Sequence, residues 1–114
     1  TLFRSLTSAV RNLVENAIKF TPNGGAVDLS VHREDAMAVI QIEDTGPGIP
    51  PQDLAQIGEP FFRGGQPSGE GAGLGLSIVK RIVDRATGSI LFENVTGAGR
   101  SGLRVTVKLP VADP

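Results

Sequence analysis

The chain has 114 residues, one domain's worth of polypeptide, and its 39% hydrophobic content is enough to bury a single core. Eleven basic residues against twelve acidic ones leave a net charge of −1, which draws in neither nucleic acid nor an anionic membrane surface. The absence of cysteine excludes disulfides, thiolate metal sites and cysteine nucleophiles, and no apolar run approaches the roughly 18 residues of a membrane span.

In chain order, Leu2, Leu6, Val10, Leu13, Ala17 and Phe20 recur at steps of three and four, which predicts an amphipathic helix over 2–20. Pro22, Gly24 and Gly25 stop it and open a turn. Val27, Leu29 and Val31 alternate with Asp28, Ser30 and His32, the pattern of a strand with one buried face. A second strand over 37–42 follows the polar Arg33-Glu34-Asp35, so the two are expected to form an antiparallel hairpin. Asp44 to Pro51 is a turn-rich loop, and 51–57 reads as one short helix with proline in its first turn. Seven of the fifteen glycines lie between Gly58 and Gly75, a density that predicts a mobile loop. Helical spacing resumes at Leu74 and runs through Leu76, Val79, Ile82 and Val83 to Ala86, with Gly88 closing the helix. Strands over 89–95 and 103–109 follow, joined by a turn containing Gly97, Gly99 and Gly102. This order predicts an α/β sandwich of two layers, helices covering one face of a mostly antiparallel sheet. The chain starts at Thr1 already in helical pattern, and we read it as one domain, 1–114, of a longer protein.

Three groups of residues suggest chemistry. On a helical wheel Asn12, Asn16 and Lys19 fall within about 60° of one another, with Glu15 flanking and the apolar set opposite. Such a stripe is either a solvated face or a ligand face. Asparagine costs about 0.7 kcal/mol relative to alanine inside a helix, so two of them at an i, i+4 spacing need a reason. Their amide oxygens are hard, neutral ligands for magnesium, and Lys19 is a point charge for phosphate. Asp44-Thr45-Gly46-Pro47-Gly48-Ile49 leaves a strand as an Asx turn or as a base seat. In the second case the carboxylate accepts a hydrogen bond from a base amine, and the glycines let a flat ring approach. Gly71-Ala72-Gly73-Leu74-Gly75-Leu76 is either plain flexibility or a phosphate loop, since it leads into a helix whose free amides and dipole favour an anion. The three converge only if the first helix lies across the sheet near the Asp44 turn.

These segments resemble the catalytic ATP-binding domain of two-component sensor histidine kinases, in the superfamily shared with gyrase, Hsp90 and MutL. Asn12 to Pro22 is similar to the asparagine box, Asp44 to Ile49 to the first glycine box, Glu59-Pro-Phe-Phe-Arg63 to the phenylalanine box, and Gly71 to Leu76 to the second glycine box. The resemblance implies a Bergerat-type fold, a mixed, mostly antiparallel sheet under about three helices, with ATP and Mg2+ as cofactors. It implies that Asn16 ligates the metal, that Asn12 and Lys19 act at the phosphates, and that Phe20 packs beside the adenine. Asp44 would bind the adenine amine, with Gly46, Gly48 and Ile49 forming the rest of the seat. Residues 58–73 would be the ATP lid, with Phe61 and Phe62 as anchors and Arg63 as a contact to phosphate or to the partner domain. Gly71, Gly73 and Gly75 would turn backbone to the phosphates, with Ala72, Leu74 and Leu76 in the same cofactor-binding segment.

Two departures matter. Gly102-Leu103 stands where the family often has glycine and threonine, which removes a polar side chain near the adenine. Asn12 stands where ATP-hydrolysing members of the superfamily place a glutamate base, so water is poorly activated. The implied activity is therefore transfer of the γ-phosphate to a histidine on a separate dimerising helical domain, with a response regulator downstream. His32, on the polar face of its strand, is not that acceptor. The resemblance also implies a cytoplasmic domain, without nucleic-acid or membrane contact of its own, in a parent anchored in the inner membrane. A nucleotide-gated regulatory module and a serine kinase of the anti-sigma-factor type are the alternatives.

Overall fold

The computed structural model describes residues 2–54 and 72–111. The predicted loop and lid through Gly71, with Phe61, Phe62 and Arg63, lie outside the described residues, as do positions 55–57 of the short helix. Helix α1 spans Leu2–Phe20 and buries Ala9, Leu13 and Ala17, one residue per turn along a single line. It ends where the Thr21 hydroxyl donates to the Ala17 carbonyl at 2.6 Å, supplying one of the donors that the last turn lacks. Strands β1 (Val27–Glu34) and β2 (Met37–Asp44) follow. They form a hairpin closed by Asp35-Ala36, with Asp35 at φ 54°, a conformation that aspartate tolerates better than most residues. Helix α2 is Pro51–Leu54, helix α3 Ala72–Arg85, strand β3 Ser89–Val95 and strand β4 Gly102–Pro110.

The sheet order is β1-β2-β4-β3, and all three pairings are antiparallel. The two hairpins thus join through β2 and β4, with Ile42 opposite Val105 and Ile40 opposite Val107. That register places Ile42, Val105, Val107 and Leu109 on one face, where they pack with Ala9, Leu13 and Ala17 of α1 and Leu76, Val79 and Val83 of α3. Ile42, Val79 and Val83 are almost completely buried at the centre of this core. The opposite face carries the charges: Glu43 accepts from Arg104 at 2.8 Å and from Arg100 at 3.2 Å. His32 lies there too, exposed and 3.1 Å from Glu34. That contact and the Lys108 charge hold the Glu34 carboxyl below its ordinary range.

The fold meets the expectation in its architecture and in the type and order of all seven elements, and three local details differ. Helix α3 starts at Ala72, so Gly73 and Gly75 lie inside its first turns rather than ahead of it. Its end is a Schellman turn, Gly88 N–H to Val83 O and Thr87 N–H to Asp84 O. The left-handed residue in that turn is Thr87, at φ 57°. Gly88 is required for a different reason, since a Cβ there would stand 2.4 Å from the Lys108 carbonyl of β4. Finally, the apolar side of β1 is not buried beyond Val27: Leu29 and Val31 are 51% and 66% exposed, because β1 is an edge strand.

Candidate functional site

Asp44 is the last residue of β2, buried at 7% exposure where the chain turns out of the sheet. One carboxylate oxygen, Oδ1, accepts two backbone N–H groups, from Gly46 at 2.8 Å and from Leu103 at 3.1 Å. The other oxygen, Oδ2, has no hydrogen bond among the described residues. No fully buried side-chain atom is left unpaired there either, so Oδ2 opens toward the surface. A carboxylate with one oxygen locked by the backbone and the other free is built to accept one more donor in a fixed direction.

The end of α1 meets this turn directly. A Cβ placed on Gly46 would lie 2.6 Å from the Phe20 carbonyl, so only glycine lets the helix terminus and the loop pack this closely. Thr45 ties the same region to the start of β1: its N–H donates to Ala26 O at 3.1 Å, and its hydroxyl accepts from Ala26 N–H at 2.9 Å. The asparagine box and the first glycine box are therefore brought together, as their convergence requires. On α1, Asn12 and Asn16 are half-buried and Lys19 and Glu15 are exposed, so the amide stripe lies at the rim of the core. Neither amide side chain has a hydrogen-bond partner among the described residues. Lys19 Nζ stands 5.7 Å from the centre of the Phe20 ring, which places a cation and an aromatic face side by side at the helix end. Helix α3, whose first residue Ala72 follows Gly71, packs on α1 and on β3, with Leu76 in the core.

Four residues shape this site in ways that the sequence did not assign to them. Gly102 opens β4 at φ 153°, and a Cβ there would collide with the Asp44 carbonyl at 1.9 Å. Leu103 supplies its N–H to Asp44, so the position that lacks the family's threonine still serves the aspartate through the backbone. Asn94 of β3 holds Ile49 by both main-chain groups, and Ser101 donates to Gly46 O at 2.9 Å. Asparagine in a strand interior was the one available signal, because its side chain is depleted there unless something satisfies it.

The family pattern described as "Histidine kinase-, DNA gyrase B-, and HSP90-like ATPase" matches residues 2–113. The chain belongs to this ATPase family. Among curated members it is similar to the histidine protein kinase DivJ of Caulobacter vibrioides, 42% identical over 95% of this chain and 18% of that protein. The sensor protein kinase PmrB of Pseudomonas aeruginosa is 43% identical over 96% of this chain and 23% of its own length. The chain thus spans about a fifth of the curated relatives it matches. Among solved members, the mycobacterial sensor histidine kinase MprB superposes with a TM-score of 0.85 at 37% identity, covering 94% of this chain and 72% of that one. Full-length ShkA in complex with AMPPNP superposes with a TM-score of 0.78 at 32% identity, covering 96% of this chain and 22% of that one. ATP is the nucleotide of this ATPase family.

Proposed function

We propose that this chain binds Mg-ATP and presents the γ-phosphate to a histidine on a separate dimerisation domain of its parent sensor kinase. The observation that carries the reading is Asp44, whose Oδ1 is fixed by two backbone amides while Oδ2 is left to receive an exocyclic amine. Adenine offers that amine; guanine offers a carbonyl at the same ring position and is repelled. Phe20 and the Gly46–Gly48 backbone would flank the ring, and Ile49 would close the far side of the seat.

The metal reading rests on the donor set. Among the described residues no three His, Cys, Asp or Glu side chains gather, and a magnesium ion held by phosphates, water and one protein ligand needs no such cluster. The Asn16 amide oxygen, without a hydrogen bond among the described residues, fits that single ligand, and a bound ion would supply charge neutralisation across the phosphates. Asn12 and Lys19 would act at the phosphates, with Arg63, Phe61 and Phe62 completing the lid. The backbone from Gly71 through Gly75 at the head of α3 would hold the phosphate oxygens, and Leu76 anchors that helix in the core.

Phosphoryl transfer asks the protein chiefly for positioning and charge neutralisation, which this set supplies without a nucleophile of its own. Asn12 in place of a carboxylate base favours transfer over hydrolysis. The parent would then carry the acceptor histidine on another domain, pass the phosphate to a response regulator, and hold this domain on the cytoplasmic side of the inner membrane. No described helix is itself long and apolar enough to cross a membrane. The test is to titrate the chain with ATP and GTP, with and without magnesium, and then to add a histidine-bearing dimerisation domain. Magnesium-dependent, adenine-selective binding and an acid-labile phosphate on the added domain are expected. Binding with no phosphohistidine would leave a nucleotide-gated module, and acid-stable phosphate would mean a serine acceptor.

A further inference from the structure

Asn94 is the penultimate residue of β3, paired with Leu103 of β4 and half-buried. Its amide makes a two-point bond with the main chain of one residue 45 positions away. Oδ1 accepts the Ile49 N–H at 2.8 Å, and Nδ2 donates to the Ile49 carbonyl at 2.6 Å. The same oxygen lies where a Cβ of Gly48 would be, 2.7 Å from it, so the loop backbone is pressed flat against the amide. Thr45 and Pro47 are exposed, and the segment from Thr45 to Pro50 forms neither helix nor strand. Its near end, Thr45 and Gly46, is fixed by Ala26, Asp44 Oδ1 and Ser101; among the described residues the hydrogen bonds of Ile49 toward its far end come from Asn94.

We infer that Asn94 is a positioning residue for the nucleotide base, holding the Gly48–Ile49 backbone at the depth that lets a ring lie flat and reach Asp44 Oδ2. The inference rests on the base-seat reading of the Asp44 turn and assigns Asn94 no contact with the nucleotide. Only a side chain with a donor and an acceptor side by side can match both groups of one peptide residue at this spacing. Aspartate keeps the shape and the acceptor but turns a second acceptor toward the Ile49 carbonyl, and a proton on that carboxyl restores the donor.

The experiment compares the unaltered chain with Asn94→Asp and Asn94→Ala, measuring magnesium-dependent affinity for ATP and for inorganic tripolyphosphate, which has no base, together with melting temperature. At pH 8 Asn94→Asp should bind ATP about tenfold more weakly than the unaltered chain, because the half-buried Ile49 carbonyl loses its donor. Tripolyphosphate affinity should not move. As the pH is lowered toward 5 the ATP gap between Asn94→Asp and the unaltered chain should narrow, while the gap for Asn94→Ala stays constant. Equal losses for ATP and tripolyphosphate, or unchanged ATP affinity in Asn94→Asp, or a gap that ignores pH, would each overturn the positioning role. If Asn94→Ala does not fold, the aspartate variant alone decides through its pH profile. Should the unaltered chain prefer neither ATP over GTP nor ATP over tripolyphosphate, the base-seat reading itself fails, which is a separate result.

Discussion

Asp44 commits one carboxylate oxygen to the turn and leaves the other without a hydrogen bond among the described residues, and this division makes its substitution informative. In Asp44→Asn the remaining side-chain oxygen can still accept from Gly46 and Leu103, which keeps the turn. The amide nitrogen then faces the base amine, donor against donor. ATP affinity should fall by about 10- to 100-fold while GTP affinity holds or improves, read by parallel titrations; an unchanged preference removes Asp44 from the base seat. Gly102→Ala tests the other half of the same contact. Its Cβ would overlap the Asp44 carbonyl and its φ of 153° is open only to glycine, so a loss of about 3 kcal/mol or more is expected in a denaturant titration. Asp44 was legible in the sequence because it stands in a compact motif beside its glycines. The roles of Asn94, Ser101 and Leu103 were not, because these residues lie 45 to 59 positions away in the chain, and each contact uses a backbone group that no residue type announces.

At the level of elements, periodicity located the helices and strands because each buries a face set by its own repeat, 3.6 for α1 and α3 and two for β2 and β4. It could not tell an edge strand from an interior one. Leu29 and Val31 alternate as correctly as Ile40 and Ile42, yet α1 covers only the start of β1. Nor could it separate the two readings of the α1 stripe, which differ in what touches the asparagines rather than in where they lie. Their missing partners make a clean prediction. Asn16→Ala removes no hydrogen bond among the described residues and gains helix propensity, so melting temperature should stay level or rise slightly, while magnesium-dependent ATP affinity drops severalfold or more. Parallel loss of both would make Asn16 structural. Val79→Ala in α3 should do the reverse: it opens a cavity where Val79 is completely buried, costing about 2 kcal/mol, and leaves the ratio of ATP to GTP affinity unchanged.

For the whole molecule, the two faces of the sheet separate the work of the protein. The helix side holds the core and, at one end, the convergence of α1 with the Asp44 turn; the open side holds the ion pairs of Glu43 and the His32–Glu34 contact. His32 is the chain's single histidine, and it lies on the face of the sheet opposite the one that the helices cover. A phosphate bound among Asn12, Asn16 and Lys19 cannot reach it within one molecule, and its ring is engaged by a carboxylate that would repel a metaphosphate-like group. Incubating the chain alone with Mg-ATP should therefore leave it unlabelled, and adding a histidine-bearing dimerisation domain should place acid-labile phosphate on that domain only. His32→Ala should transfer at the rate of the unaltered chain. Acid-labile label on the chain itself, lost in His32→Ala, would show that the donor and acceptor share this fold and would overturn the division between its two faces.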